Sequence, residues 1–94
     1  MKIKLEQYYD GDQNWSKFSE LFNEIWENTK FQNELLELLD GKADLAKVIY
    51  YHNRENSINW LNKKIPALDE LTPMECLNND LYINRLKVSL MRIK

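Results

Sequence analysis

The residues best suited to nucleophilic chemistry are Cys76 and His52, the only cysteine and the only histidine among the 94 residues. A thiolate activated by an imidazole base can attack a carbonyl carbon. Cys76, however, lies one turn into a short predicted helix beside Met74 and Leu77, where a lone cysteine is usually a small core residue. His52 stands among polar residues and is expected to be solvated. The sequence therefore predicts no catalytic residue and no enzyme activity.

Metal and cofactor sites are not predicted either. One cysteine and one histidine exclude zinc sites built from several cysteines or from paired histidines. Acidic residues such as Glu20 and Glu24 recur at helical spacing opposite the apolar stripes, which is typical of solvated helix faces. The chain has two glycines, Gly11 and Gly41, too few for a glycine-rich phosphate loop.

Cysteine content and hydropathy bear on localisation. A single cysteine excludes an internal disulfide, so a reducing compartment is expected. No stretch approaches the roughly 18 apolar residues of a membrane span. We therefore expect a cytoplasmic protein without a membrane partner.

Charge is unevenly distributed along the chain. The formal net charge of −2 argues against broad nonspecific binding of nucleic acid. Residues 1–47 carry six basic and ten acidic side chains, whereas residues 48–94 carry seven and five. The last fourteen positions hold no acid and four basic residues: Arg85, Lys87, Arg92 and Lys94. These four are the candidate partner-binding residues, although basic residues at a helix C-terminus also compensate the helix dipole.

The scarcity of glycine and proline, two of each, disfavours β-rich folds with many tight turns. We predict an all-α fold, a compact bundle of about five or six short helices forming one domain. Apolar residues recur at helical period in most of it. Helices are predicted over residues 15–27, 30–39, 43–51, 56–62 and 81–93, with one more short helix beginning at residue 73.

Several local signals mark where these helices begin and end. Thr72, Pro73 and Glu75 form a capping-box helix start. Gly41 suits the left-handed position after a helix, and Asp12 or Asn14 is expected to cap the first helix. Residues 1–9 alternate apolar and polar positions as a short strand would, but no second strand is evident, which favours an ordered arm or a frayed lead-in.

A longer pattern runs through the second half of the chain. Its elements, in order, are Trp60-Leu61, Leu68, the helix start at residues 73–77, Leu86, Leu90 and Arg92-Ile93. In this order they resemble the toxin-binding domain of the bacterial Xre/MbcA/ParS antitoxins. Asp69 and Glu70 stand where that family has a glycine pair, and Tyr82 stands where it has a glycine before the last helix. We therefore expect both turns to differ locally.

Charge and periodicity make residues 1–44 an acidic helical part, and the resemblance makes residues 45–94 a toxin-binding-domain-like part of the same single domain. The resemblance also implies a non-enzymatic, antitoxin-like protein that binds and neutralises a RES-type, NAD-consuming toxin, partly by covering the entrance to its active site. The candidate contacts are then the four basic residues named above. The expected fold-holding residues are Trp60, Leu61, Leu68, Pro73, Leu77, Leu86 and Leu90.

Two other functions stay open at this point. A small DNA-binding regulator would use the basic last helix, although the acidic first three helices make DNA an unfavourable partner. A self-associating structural protein, such as a homodimer, would use some of the many aromatic residues. Tyr8, Tyr9 and Tyr50 are the candidates for that surface.

Overall fold

The computed structural model describes residues 5–92, with side chains from residue 7 onward. Within this range the α-helices are α1 (Asp12–Glu20), α2 (Lys30–Leu38), α3 (Ala43–Asn53), α4 (Ser57–Leu61), α5 (Pro73–Cys76) and α6 (Asp80–Met91). Short 3₁₀ segments cover Leu5–Tyr8, Asn23–Ile25, Arg54–Asn56 and Pro66–Leu68. The only β contact among the described residues is an isolated bridge between Ile65 and Leu71. The predicted all-α bundle of short helices is thus confirmed.

One apolar cluster holds these helices together. Its buried members are Trp15, Leu35, Leu39, Leu45, Ala46, Val48, Ile49, Leu61, Leu68, Cys76, Leu86 and Leu90. Complete burial of each large apolar side chain stabilises the fold by about 1.5–3 kcal/mol. The cluster draws on both residues 1–44 and residues 45–94. The Cα radius of gyration of the fold, 12.7 Å, is close to the roughly 12 Å typical of a compact chain of this length.

Most of the expected fold-holding residues lie in or against this cluster. Leu61, Leu68, Pro73, Leu86 and Leu90 are completely buried. The other two, Trp60 and Leu77, pack against the cluster while remaining partly exposed.

The first helix is shorter than its apolar pattern predicts. α1 ends at Glu20, and the chain continues through i→i−3 hydrogen bonds into a 3₁₀ turn over Asn23–Ile25. Phe22 then packs against Tyr51 of α3 at a ring-centroid distance of 4.5 Å. Trp26 reaches Tyr50 at 6.2 Å. Packing against α3 therefore replaces the continuous helix over residues 15–27 that periodicity predicts.

The start of the chain also differs from its prediction. The N-cap of α1 is Gly11, not Asp12 or Asn14, and it has φ 105° and ψ 164°. Residues Leu5–Tyr8 form a 3₁₀ turn instead of part of a strand. The first four residues of the predicted strand or arm lie outside the described residues. The described arm, residues 5–10, packs along α6.

A buried glutamine organises the loop before α2. The Gln32 side chain is 1% exposed; its amide oxygen accepts from the backbone N–H groups of Glu27 and Thr29. Its amide nitrogen donates to the carbonyl of Ile25 at 3.3 Å. Thr29 completes a capping box by accepting from the Gln32 backbone N–H. At the other end of α2, Gly41 has φ 79°, which confirms its predicted left-handed conformation.

The turn between α4 and α5 carries strain at two residues. Asp69 and Glu70 have φ 58° and 67°, the left-handed region that costs roughly 1–2 kcal/mol for a residue with a Cβ. The bridge between Ile65 and Leu71 closes this turn through a backbone hydrogen bond of 3.1 Å. Glycine would adopt both conformations at lower cost. The turn therefore differs from a glycine pair in carrying two side chains. Its backbone is left-handed, as a glycine pair readily allows.

The capping box after this turn forms as predicted. The Thr72 hydroxyl accepts from the Glu75 backbone N–H, and the Glu75 carboxylate accepts from the Thr72 backbone N–H at 3.0 Å. These bonds to Thr72 lower the pKa of Glu75. Pro73 occupies the first helical position of α5. Asn79 then caps α6 by accepting from the backbone N–H groups of Leu81 and Tyr82.

The strained turn yields a prediction about stability. Glu70→Gly should increase the free energy of unfolding by about 0.5–1 kcal/mol, because relief of left-handed strain exceeds the added entropy of the unfolded chain. Urea denaturation followed by circular dichroism measures this change. Glu34→Gly is the matched control, because Glu34 is an exposed position within α2, and there the same substitution should cost about 1 kcal/mol. Destabilisation by both substitutions would contradict the strained geometry.

Candidate partner-binding surface

The four basic residues predicted to bind a partner do not share one exposed face. Arg85 and Lys87 lie within α6, and Arg92 is its C-cap residue. Lys94 lies outside the described residues. The exposed fraction of the side chain is 4% for Arg85 and 14% for Lys87, while Arg92 is exposed.

Arg85 lies in the interior of the fold. Its guanidinium pairs with the Asp69 carboxylate at 3.3 Å and donates to the Leu68 carbonyl at 3.4 Å. The guanidinium carbon also lies 4.8 Å from the centroid of the Tyr82 ring. These contacts tie α6 to the strained turn before α5. The structure therefore places Arg85 as a structural residue, away from the surface where a partner contact was expected.

The buried position of Arg85 predicts a large mutational cost. Arg85→Ala should lower the free energy of unfolding by about 2–3 kcal/mol, because it removes packing and leaves the Leu68 carbonyl without this donor. Arg92→Ala is the control with the same change of charge and should alter stability by less than about 0.5 kcal/mol. Urea denaturation of both variants tests this, and equal effects of the two substitutions would contradict it.

Lys87 is held between two aromatic rings and a carboxylate. Its ammonium nitrogen lies 5.4 Å from the Tyr9 ring centroid and 5.6 Å from that of Trp15. It donates to the Tyr9 hydroxyl at 3.5 Å and lies 3.9 Å from the Asp12 carboxylate. The Tyr9 hydroxyl donates in turn to Asp12. Lys87 thus connects the N-terminal arm and the start of α1 to α6.

Burial and the neighbouring Asp12 carboxylate shift the ionisation of Tyr9. Burial is the larger cause, and together with the hydrogen bond to Asp12 it raises the pKa of Tyr9 above its usual range. The phenol is therefore neutral at every physiological pH and serves as a hydrogen-bond donor. No proton transfer is expected from it.

Sequence reasoning missed the group around Lys87. The acceptor of the Trp15 indole N–H is Asp44, 29 positions away, at 2.6 Å. Tyr9 and Lys87 are 78 positions apart. No local spacing joins residues so distant, so no sequence pattern could have found this group. The Thr29-x-x-Gln32 spacing before α2, in contrast, was a readable capping-box signal.

Arg92 is the described candidate that reaches the surface. Its guanidinium carbon lies 4.6 Å from the centroid of the Tyr8 ring, and Tyr8 is itself 47% exposed. Both residues border a shallow groove of about 440 Å³ between the N-terminal arm and α6. The groove is lined by Gln7, Tyr8, Asp10, Val88, Met91 and Arg92.

A second groove, of about 570 Å³, lies where the first turns of α1, α3 and α6 meet. Asp12, Asp44 and Asp80 line it together with Lys42 and Lys87. The Asp44 carboxylate accepts a hydrogen bond from Trp15, and the Asp12 carboxylate accepts one from Tyr9 and pairs with Lys87. Among residues 5–92, no group of three or more histidine, cysteine or acidic side chains is placed to hold a metal ion.

The thiol and the imidazole lie in different surroundings. Cys76 is completely buried in the core, as predicted. The prediction that His52 is a solvated turn residue is wrong, because it lies in α3 and its ring packs at 5.1 Å from Tyr51 and 6.3 Å from Phe22. Its Nε2 is buried with no hydrogen-bond partner among the described residues, so this atom does not act as a base for Cys76.

The environment of His52 predicts a dependence of stability on pH. Burial lowers the pKa of His52 from its ordinary 6.5, so below that pH the unfolded chain binds the proton more readily than the folded one. The contribution of the neutral imidazole to the free energy of unfolding is therefore fully present above about pH 6.5, the pKa in the unfolded chain. It is lost as the pH falls from there through the lower pKa that His52 has in the folded chain.

Urea denaturation at half-unit steps from pH 5 to 8 measures this effect. The free energy of unfolding should rise with pH more steeply in the wild type than in His52→Gln, because glutamine does not titrate. Parallel pH profiles for the two proteins would contradict the prediction.

Aromatic side chains form a partly exposed face beside His52. Phe18, Phe22 and Tyr51 follow one another at ring distances of 5.2 and 4.5 Å. Leu21 next to them is 74% exposed. Tyr50, one of the candidates for a dimer surface, is instead half-buried between Trp26 and Phe31.

Comparisons of the chain with protein-family models, with curated protein sequences and with solved structures found no significant match. Between residues 5 and 92, no helix combines the length and the apolar content needed to cross a membrane.

Proposed function

We propose that this chain is a non-enzymatic, antitoxin-like protein that binds and neutralises a RES-type, NAD-consuming toxin. The observation that carries the proposal is the ordered pattern of residues 60–93 that resembles the toxin-binding domain. In the structure, the part of this pattern around residues 68–77 is a left-handed turn followed by a capped helix. Such a backbone at Asp69 and Glu70 is one that the family's glycine pair would adopt readily.

The position of Tyr82 limits the resemblance. It lies inside the first turn of α6, with its ring against Arg85, where the family has a glycine before its last helix. The resemblance therefore rests on the turn and helix start at residues 68–77 and on the apolar positions of α6. The contact role proposed for the last helix falls mainly on Arg92 and Lys94.

The charge of the described surface supports a protein partner over DNA. A DNA-binding helix presents several exposed cations to phosphates. In α6 and its C-cap, Arg85 is buried and Lys87 is paired with Asp12, which leaves Arg92 on the surface. One exposed cation beside an aromatic ring is better suited to a carboxylate on a protein partner.

Co-expression with a RES-type toxin from the same genome tests the proposal. The chain should restore growth and cellular NAD, and a purified complex should form. Arg92→Glu should weaken the complex at least tenfold, which corresponds to about 1.4 kcal/mol. Lys63→Glu is the matched control, because Lys63 is an exposed lysine in the loop after α4 and makes the same change of charge.

The outcomes separate the alternatives. No complex and no rescue of growth would contradict the antitoxin function. An equal loss of binding in both charge-reversal variants would contradict the assignment of Arg92 as a contact. Light scattering of the free chain, showing a dimer that Tyr8→Ala disrupts, would favour self-association instead.

A further inference from the structure

The N-terminal arm, residues 5–10, already occupies the cationic side of α6. Tyr8 lies under Arg92 at 4.6 Å and Tyr9 lies under Lys87 at 5.4 Å. Gln7, Tyr8 and Asp10 form one wall of the groove described above, and α6 forms the other. We call the residues Lys87, Val88, Met91 and Arg92, which lie on that side of the helix, the arm face.

The arm face is mixed in character. Val88 is 5% exposed and Met91 is partly buried, so the centre of the face is apolar. Lys87 and Arg92 mark its two ends with positive charge. Each cation has a tyrosine ring of the arm as its neighbour, and Lys87 also has the Asp12 carboxylate. The arm face thus packs against aromatic rings that stand next to an acidic group.

The joint between the arm and α1 is a single glycine. Gly11 has φ 105° and ψ 164°, a region of backbone torsion essentially restricted to glycine. A Cβ built at this position meets no atom within 4 Å, so torsion and not space keeps other residues out. Because glycine also populates other torsions at low cost, the arm can swing away from α6 about this residue.

We propose that the arm face of α6 is a binding surface for an aromatic, acidic segment of a protein partner, and that the arm is the intramolecular competitor of that segment. The proposal rests on the function proposed above, in which the last helix contacts the partner. The arm itself indicates the chemistry of the partner segment, since it presents two adjacent aromatic rings followed by carboxylates.

The contacts of the arm are of a strength that a partner can displace. A cation lying over a tyrosine ring at a partly exposed site contributes modestly, and an ion pair with an exposed carboxylate contributes little. The short connection nevertheless gives the arm an effective concentration of about the millimolar range. A free segment with the same contacts must therefore compete with the arm, and its apparent affinity for the wild-type chain is reduced.

A synthetic peptide with the sequence of residues 5–14, acetylated and amidated at its ends, is the probe. It is titrated into the isotopically labelled full chain, and the amide signals of Val88, Met91 and Arg92 are followed by NMR. Two variants weaken the arm in cis: Tyr8→Ala/Tyr9→Ala removes its rings, and Gly11→Ala strains its joint. Circular dichroism confirms that both variants are folded.

The peptide should bind both arm variants with an apparent Kd at least tenfold lower than for the wild type. Tyr51→Ala is the control, because Tyr51 is an exposed tyrosine on α3. This variant should bind the peptide with the same apparent Kd as the wild type. A peptide with alanine in place of both tyrosines should not bind. Adding Arg92→Glu to either arm variant should raise the apparent Kd at least tenfold.

Three results would overturn the proposal: no saturable binding to folded arm variants, signal changes confined to residues outside the arm face, or equal affinity for the wild type and the variants. Because no toxin is present, this experiment fails separately from the proposed function. Peptide binding without neutralisation of a toxin would support the binding surface and contradict the antitoxin function. Toxin binding without peptide binding would overturn the proposed surface and its competition and would leave the antitoxin function standing.

Discussion

The arrangement of the whole bundle depends on the buried indole of Trp15. This side chain is 1% exposed, and its N–H donates to Asp44 at the start of α3. The second carboxylate oxygen of Asp44 accepts from the backbone N–H of Leu45, so one side chain bonds both to the first turn of α3 and to α1. An indole N–H buried without an acceptor would cost about 1–3 kcal/mol. The position of α1 on α3 is therefore tightly restricted. This also restricts the positions of the segments that continue the chain from each helix.

Lys87 extends this constraint to α6. Because its ammonium group lies over the Trp15 ring and next to Asp12, the last helix is held against the start of α1 and against the arm. Its neighbour two positions earlier, Arg85, is turned inward to Asp69 and to the carbonyl of Leu68. The cations of α6 thus serve different purposes. The inner one holds a strained turn, the middle one joins the arm to the bundle, and Arg92 at the end faces the surface.

Local signals in the sequence predicted the helix ends that depend on nearby residues. Thr72, Pro73 and Glu75 form the expected capping box because all its hydrogen bonds lie within four residues. Gly41 also has its expected left-handed conformation, and its N–H donates to the nearby Leu36 carbonyl at the end of α2. The predicted helix over residues 15–27 was wrong after Glu20, because the gain from packing Phe22 against α3 exceeds the gain from continuing the helix. The prediction that His52 is solvated was wrong for a related reason, because Phe22, which packs against its ring, is distant in sequence.

The sequence by itself determined an all-α fold, the capping box at Thr72 and the apolar residues of the second half that join the core, because helix periodicity and such a cap are encoded within a few neighbouring residues. The number of basic residues near the end of the chain was equally plain. Which of them reach the surface was decided only by tertiary structure. A helix can carry Arg85, Lys87 and Arg92 on different sides, and the partners that bury or shield a cation, such as Tyr9 and Asp69, come from segments whose approach no local pattern records.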